Sequence, residues 1–463
     1  MTERESSSRP MTEREFASRS LHFVGIGGVG MSGVALVAHE LGARVTGSDQ
    51  ATSTYLDALH ERGIQTAMGN AAENVPPGAE VVYSTVVPPD NPERRAAAGR
   101  ELHRSELLAQ IAALRRAIAI TGTHGKTTTA AMVVHALQAS GLDPAYVIGG
   151  EHRSRGVYAG WGKGEWIVVE ADESDRSLLN LAPEIALLTS AELDHHTTYG
   201  SRLELEETLR EFVARASGAV VVWNRPGLRD LCPPGAIPYD APEPLLERGR
   251  SRFEWRGLEV ELRVPGAHNA INAAGALEVA TLAGADAAAA AGSLAGFPGV
   301  HRRLELLGET PEGAPVYDDY AHNPTKIAAA IDAVRTFGPR RVVAVFQPHR
   351  FSRTAALFRP LGAALTRADL VVVLDVYPAG ERRGDYPGVD GSLVAAAAAE
   401  QASGRQVAWL PGFDEARSFL DATLRSGDLC LVMGAGNIDD LGHLLVSGSE
   451  PSANRPVPDR APS

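Results

Sequence analysis

The segment Thr121-Gly122-Thr123-His124-Gly125-Lys126-Thr127-Thr128-Thr129 gathers two glycines, a lysine and a run of hydroxyls between an apolar stretch and an alanine-rich one. A turn of this kind between strand and helix offers backbone amides to a phosphate chain, an ammonium to the β- and γ-phosphates, and the Thr127 hydroxyl to magnesium. Position 120 is Ile where the full pattern has glycine, so the loop is a shortened P-loop. Lysine is scarce: Lys126, Lys163 and Lys326 are the three in the chain, and 41 of the 44 basic residues are arginine. A lysine at this position therefore points to ATP or GTP binding.

Acids follow. The stretch Trp166–Glu170 runs apolar into a carboxylate and continues as Asp172-Glu173-Ser174-Asp175. An acid ending a strand beside a P-loop is suited to hold magnesium or its water, whereas the later acids also fit a solvated turn. Glu192-Leu-Asp194-His195-His196 comes after another strand-like run; adjacent histidines of this kind are more often surface residues than ligands.

A second glycine-rich turn, Gly25-Ile-Gly27-Gly28-Val-Gly30, fits G-x-G-x-x-G, with Asp49 about 20 residues on. Glycines let the backbone approach a pyrophosphate, and a helix N-terminus favours any diphosphate. NAD, a UDP-linked sugar and a purely structural tight turn all remain open at this point.

These turns need strands and helices to hold them. Short β-branched runs alternate with Ala- and Leu-rich stretches, which is the pattern of α/β domains. In the first block the strands are Leu21–Val24, Arg44–Thr46 and Val81–Tyr83, with helices from about Gly30 to Leu41 and around Ser105–Ala113. In the second they are Ala117–Ile120, Trp166–Glu170 and Ile185–Thr189, with a helix from about Thr127 to Ala139. The third has strands Val316–Asp318, Arg341–Val345, Leu370–Leu374 and Asp428–Val432, and helix Lys326–Arg335. The expected division is a polar arm over 1–19, domains over 20–115, 116–301 and 302–446, and a polar tail over 447–463, with hinges near Arg115 and Gly299–Arg302. Both ends are too polar to bury a core and are expected to be disordered.

A chain of 463 residues has room for roughly two to four domains. A net charge of −13 without a basic block leaves no cationic footprint for nucleic acid. Cys232 and Cys430 lie far apart and form no zinc pattern, so neither a disulfide scaffold nor a zinc site is expected. No apolar run approaches the ~20 residues of a membrane span. The opening, with MTERE repeated at Met1 and Met11, has no apolar core of a secretory signal. A cytoplasmic enzyme is expected.

Taken together the motifs resemble the Mur ligases, the ATP-dependent amide-forming enzymes of peptidoglycan synthesis. From about Leu21 to Leu445, GTHGKTTT at Gly122–Thr129, Glu170, Asp194-His195, HNxxN at His268–Asn272, Arg302-Arg303 and Asp318-Asp-Tyr-Ala-His322 stand in that family's order. GIGGVGMSG at Gly25–Gly33, FQPHRFSRT at Phe346–Thr354 and DVYPAGE at Asp375–Glu381 resemble the branch that adds L-alanine to UDP-N-acetylmuramate. The tripeptide-recycling branch is the nearest alternative, and its glycine-rich opening looks different. The DNPR-type motif of the diaminopimelate- or lysine-adding branch is absent.

The resemblance implies three domains: a Rossmann-like UDP-binding domain, a central P-loop ATPase-like α/β domain and a Rossmann-like C-terminal domain. It implies ATP on Gly122, Thr123, His124, Gly125, Lys126, Thr127 and Thr128, with Asn269, Asn272, Arg303 and Asp319 helping to hold the nucleotide or bridge the domains, and Mg2+ on Thr127, Glu170 and His195. UDP-N-acetylmuramate would meet Gly28, Val29, Gly30, Met31 and Ser32, with Asp49 and Ser84 nearby. L-Alanine would lie against His322, His349, Arg350 and Arg353, where a guanidinium suits a planar carboxylate. Lys126, Glu170, His195, Arg303 and His322 would then be the catalytic set, with His322 a candidate base. NAD falls away as the ligand of the first turn. A redox enzyme and a non-catalytic nucleotide sensor are the readings from other classes. The third domain is expected to close over the site about the hinge near Arg302, in a monomer or a dimer.

The chain departs from the family at three places. Asn323 stands where two histidines before proline are usual, HHTTYG follows Asp194, and Ser190-Ala191 replaces Asn-Ile. Several family members carry a carbamylated lysine supporting a second magnesium, but here no lysine occurs between Lys163 and Lys326.

Overall fold

A computed structural model describes residues 11–152, 157–193 and 198–447. The chain divides into two compact units, Met1–Asp240 with Ile271–Leu294, and Ala241–Ala270 with Ala295–Ser463.

The first unit holds two sheets. One is parallel throughout, in the order Gln65–Met68, Arg44–Asp49, Ser20–Val24, Glu80–Tyr83, Glu101–His103. Its strand order reverses between Ser20–Val24 and Glu80–Tyr83, which opens a crevice at their carboxyl ends where α/β sheets take ligands. The helix Val29–Glu40 starts at that edge and buries Met31 to Ala38. The other sheet runs Ile237–Tyr239, Ala219–Trp223, Ile185–Leu188, Arg116–Thr121, Trp166–Glu170, Ala145–His152, Val157–Gly160, antiparallel only in the last pair. Its middle strands are apolar along their length because both faces are covered. The helix Lys126–Ala139 packs on it, burying Thr127 to Val134.

The two sheets are stitched together. Tyr55 meets Tyr158 edge-on at 4.9 Å, the Asn180 amide donates to the Ser105 hydroxyl at 2.7 Å, and Trp161 N donates to Glu40 at 2.6 Å. Arg115, expected at a hinge, is clamped: it donates to the carbonyls of Gly162 and Gly164 at 2.6 Å each and lies over the Trp161 ring. The arm expected to be disordered over 1–19 carries, within its described part, the helix Glu13–Phe16. A Thr12–Glu15 capping box starts that helix, and Phe16 is wholly buried. A single aromatic residue in a polar stretch gave too little periodicity to announce it.

In the second unit a six-stranded sheet runs Glu305–Glu309, Pro315–Asp319, Asp428–Met433, Arg341–Phe346, Leu370–Val373, Gln406–Trp409, parallel except for its first strand. Helices Pro324–Arg335, Phe351–Leu365 and Gly391–Gln401 bury Ile327, Ile331, Leu361 and Val394 on one face. Helices Phe413–Thr423 and Ile438–Ser447 bury Leu420, Ile438, Leu441 and Leu445 on the other. A small antiparallel sheet, Leu245–Glu247, Arg250–Trp255 and Leu258–Leu262, precedes it in the chain. Ser251, Phe253 and Trp255 face inward there in strict alternation with exposed arginines and a glutamate.

Candidate functional site

Strand Arg116–Thr121 lies mid-sheet, and its carboxyl end turns at Gly122 with φ +123°. A Cβ on Gly122 would sit 2.7 Å from the backbone nitrogen and 2.8 Å from the backbone oxygen of Ser190, so only glycine fits. Ser190, one of the departures from the family pattern, holds the loop: its hydroxyl accepts from His124 N at 2.8 Å. The Thr189 hydroxyl donates to the His124 carbonyl at 2.5 Å, and His124 Nε2 donates to Glu192 at 2.9 Å. Thr123 in the turn and Thr128 in the first turn of the helix are both buried, and the Asn272 amide lies against Gly125.

Lys126 opens the helix and its Nζ donates to the Gly122 carbonyl at 2.8 Å and to Glu173 Oε2 at 2.6 Å. Burial alone would lower the lysine's pKa, but the carboxylates of Glu173, Asp172 and Glu170 outweigh it and hold the group above its ordinary value. The Thr127 hydroxyl donates to the Glu170 carboxylate at 3.0–3.1 Å, and Gly149 N donates to the same carboxylate at 2.8 Å. Thr127 and Glu170 thus form a pair of hard oxygen donors, the type magnesium takes alongside phosphate oxygens and water. His195, the third expected ligand, lies outside the described residues, as do Asp194 and His196. Among the described residues no cluster of three His, Cys, Asp or Glu side chains suits a metal.

The glycine loop of the first sheet is tied from beneath. Gly25 N and Ile26 N donate to the Ser48 carbonyl at 2.8 and 3.0 Å, and Ser53 donates to the Gly27 carbonyl at 3.0 Å. Asp49, expected near the sugar nucleotide, accepts from Gly27 N at 2.8 Å and Ala51 N at 3.1 Å, so its carboxylate holds the loop. Gly28 is exposed and Val29 and Gly30 are half-buried, forming the rim with half-buried Ser84. Met31 and Ser32 do not join them: both are buried, and the Ser32 hydroxyl donates back to the Val29 carbonyl at 3.2 Å. Their helical phase turns them to the core. Sequence reasoning missed Arg104, whose guanidinium lies where a Gly30 Cβ would be. The cue was there: Arg104 opens the helix Arg104–Ala112 directly after strand Glu101–His103, at the same sheet edge.

In the second unit the carboxyl ends of Pro315–Asp319, Arg341–Phe346 and Asp428–Met433 bring another group together. His322 Nδ1 is 2.8 Å from the Tyr320 carbonyl, which can only accept, so Nδ1 carries the proton and Nε2 the lone pair. The rings of His322 and His349 are 6.1 Å apart, and Arg353 meets His349 Nδ1 at 3.3 Å. His349 stacks on Tyr377 at 5.7 Å; burial first, then the charges of Arg353 and Arg350, push its pKa down to about 4. Arg350 sits at φ +69° and donates its backbone N–H to the Tyr377 carbonyl at 2.8 Å. The expected alanine-side residues are therefore assembled in one place.

The two carboxylate oxygens of Asp319 accept from Leu304 N and Ala321 N at 2.8 Å each, so this acid braces the backbone after strand Pro315–Asp319. Arg303 lies over the Tyr320 ring, 5.0 Å from its centre. Its neighbour Arg302 bonds Asp318 at 3.0 Å and the carbonyls of Gly434 and Gly436 at 2.9 and 2.8 Å. The Asn269 amide donates to the Pro265 carbonyl at 2.7 Å. Asn323 accepts from Lys326 N at 3.0 Å and so caps the helix Pro324–Arg335.

Family models match three stretches of the chain. These are the Mur ligase family catalytic domain over residues 20–116, the Mur ligase middle domain over 120–229, and the Mur ligase glutamate ligase domain over 302–436. The UDP-N-acetylmuramate–L-alanine ligase of Acidithiobacillus ferrooxidans is 41% identical, covering 94% of this chain and 99% of its own. The enzyme of the same name from Rubrobacter xylanophilus is 40% identical over 92% and 99%. The crystal structure of UDP-N-acetylmuramate-alanine ligase MurC from Thermotoga maritima superposes with TM-score 0.79 at 27% identity, covering 93% and 99%. A murein peptide ligase from Psychrobacter arcticus shares the fold, with TM-score 0.69 at 23% identity over 92% and 98%.

Proposed function

Since this chain belongs to the Mur ligase family, we propose that it joins L-alanine to UDP-N-acetylmuramate, giving the alanyl adduct, ADP and phosphate for peptidoglycan precursor synthesis. Full-length identity with ligases of that name supports the substrates, and the Lys126–Thr127–Glu170 cluster at the P-loop supports the phosphoryl chemistry.

A free carboxylate cannot yield an amide at useful rate, because oxide would have to leave. The lactyl carboxylate therefore attacks the γ-phosphorus of ATP; an O–P bond forms, the bond to the ADP oxygen breaks, and an acyl phosphate results. Negative charge spreads over the transferred group, and Lys126, fixed and charged, is placed to offset it. Thr127 and Glu170 are the residues that would hold magnesium, which neutralises phosphate charge when bound.

Alanine's neutral amine then attacks the acyl carbon, and phosphate leaves from the tetrahedral intermediate. His322 Nε2, left basic by the bond at Nδ1, can take the amine's proton, and Arg350 and Arg353 pair with the alanine carboxylate. The crevice beside Gly28–Gly30 holds the UDP diphosphate, with Arg104 supplying the cation. Among the described residues no helix is long and apolar enough to cross a membrane, and we place the reaction in the cytoplasm, where ATP is available.

Phosphate release with ATP, magnesium and UDP-N-acetylmuramate, measured amino acid by amino acid with mass analysis of the product, tests this reading. Release with L-alanine and the mass of the alanyl adduct would support it. Turnover with the tripeptide alone would assign the chain to recycling instead.

A further inference from the structure

The segment Asp172–Asp175 lies between the two glycine-rich loops of the first unit and is built more firmly than a solvated turn. The Glu173 side chain has 0% exposure, and its carboxylate meets Lys126 at 2.6 Å. Its backbone is fixed by other residues: the Tyr199 hydroxyl donates to the Glu173 carbonyl and the Thr198 hydroxyl to the Ser174 carbonyl, both at 2.6 Å. Ser174 N and its hydroxyl both donate to the Asp172 carboxylate, at 3.1 and 2.9 Å. A carboxylate taken this far out of water is tolerable only with a charged partner, and here that partner is the P-loop lysine.

Two residues on, Asp175 Oδ2 accepts from the Thr85 hydroxyl at 3.0 Å, and the same hydroxyl is 3.2 Å from His103 Nε2. The proton directions are determined. Ser105 N donates to His103 Nδ1, so Nδ1 is the acceptor, Nε2 carries the proton and donates to Thr85, and Thr85 donates to Asp175. Thr85 follows Ser84 just after strand Glu80–Tyr83, on one side of the crevice whose other side is the first glycine loop. A directed chain of hydrogen bonds thus runs from that crevice to the segment that holds the lysine.

We propose that Glu173 is the positioning residue for Lys126, and that the His103–Thr85–Asp175 relay makes this positioning depend on the sugar-nucleotide crevice. Because the chain of bonds links the two sites, occupancy of either one tightens the contacts that hold Glu173 against Lys126 and so raises the affinity of the other. The sign of the coupling is positive, and it must be reciprocal.

This inference rests on the ligase reading, and the full chain tests the two separately. With magnesium present, the affinity for a non-hydrolysable ATP analogue is titrated with and without UDP-N-acetylmuramate. Wild type should gain about fivefold or more from the sugar nucleotide. Thr85→Val should reduce that gain to under about twofold, and Thr85→Ser, which keeps the hydroxyl, should restore it. Absence of the gain in wild type, or its full survival in Thr85→Val, overturns the relay. Glu173→Gln should lower kcat at saturating ATP by about tenfold or more and reduce the sugar-nucleotide gain in ATP affinity to under about twofold. A lowered melting temperature with unchanged kcat would make Glu173 structural only and overturn its role. Failure of the wild type to form the alanyl product would sink the ligase reading and not the relay.

Discussion

The two glycine-rich loops of the first unit start from the same design, a buried strand running into a helix, and differ in where their charge comes from. The loop after Ser20–Val24 contains no cation of its own: Asp49 and Ser53 hold it from below, and Arg104 is brought to it by a helix some 75 residues away. The loop after Arg116–Thr121 carries Lys126 within itself, fixed by its own Gly122 carbonyl and by Glu173. A borrowed arginine at the rim is suited to gripping a diphosphate that does not react. A lysine locked in place, with its charge secured by surrounding acids, is suited to charge that develops during the reaction. On the proposed reading, likeness of motif conceals a division between binding and catalysis.

Lys126→Ala should break that division most sharply if it is wrong. Phosphate release should fall by about 10²–10³-fold, while calorimetric affinity for UDP-N-acetylmuramate stays within about threefold. An equal loss of both would mean that the loops do not have separate roles. Gly122→Ala comes next, because the new methyl meets backbone atoms of Ser190 that cannot move aside. ATP affinity should drop by more than about tenfold, with a lowered melting temperature, whichever ligand fills the first loop. Arg104→Met keeps the side-chain bulk and removes the charge. KM for the sugar nucleotide should rise about tenfold with KM for ATP unchanged, as expected for loss of one charge-assisted contact; an effect confined to kcat would contradict the rim assignment.

The smallest effect concerns His349, outside both loops. Its folded pKa is about 4, below the ordinary 6.5, so the unfolded chain takes up the proton first as pH falls. The stability this provides is complete above about pH 6.5 and is lost as pH drops towards 4. His349→Phe, which keeps the stack on Tyr377, should flatten melting temperature against pH in that window.

The strands that carry the loops were legible because they are buried on both faces and read as continuous β-branched runs, such as Trp166–Glu170 and Leu370–Val373. The small antiparallel sheet was not read, although Arg250–Trp255 alternates strictly, because its inward set includes a serine and its outward set two arginines. At the site, residue types showed which chemistry was available but not which atoms were committed elsewhere. Asp49 and Asp319 look like ligand-seeking acids in sequence, yet each holds two backbone amides. Glu173 looked like the solvated member of an acidic turn and is among the most buried charges in the chain. Arg104 was overlooked because its loop partner is distant in sequence and only the parallel sheet brings the two together.

The cap that Asn323 places on helix Pro324–Arg335 gives a structural reason for an asparagine where two histidines are usual. What the backbone asks for there is a short acceptor one residue ahead of a proline. Imidazole can meet a similar demand, as His103 does by accepting from Ser105 N in this same protein. Asparagine and histidine at 323 can then serve the same cap, and the asparagine here is accounted for by the backbone it holds.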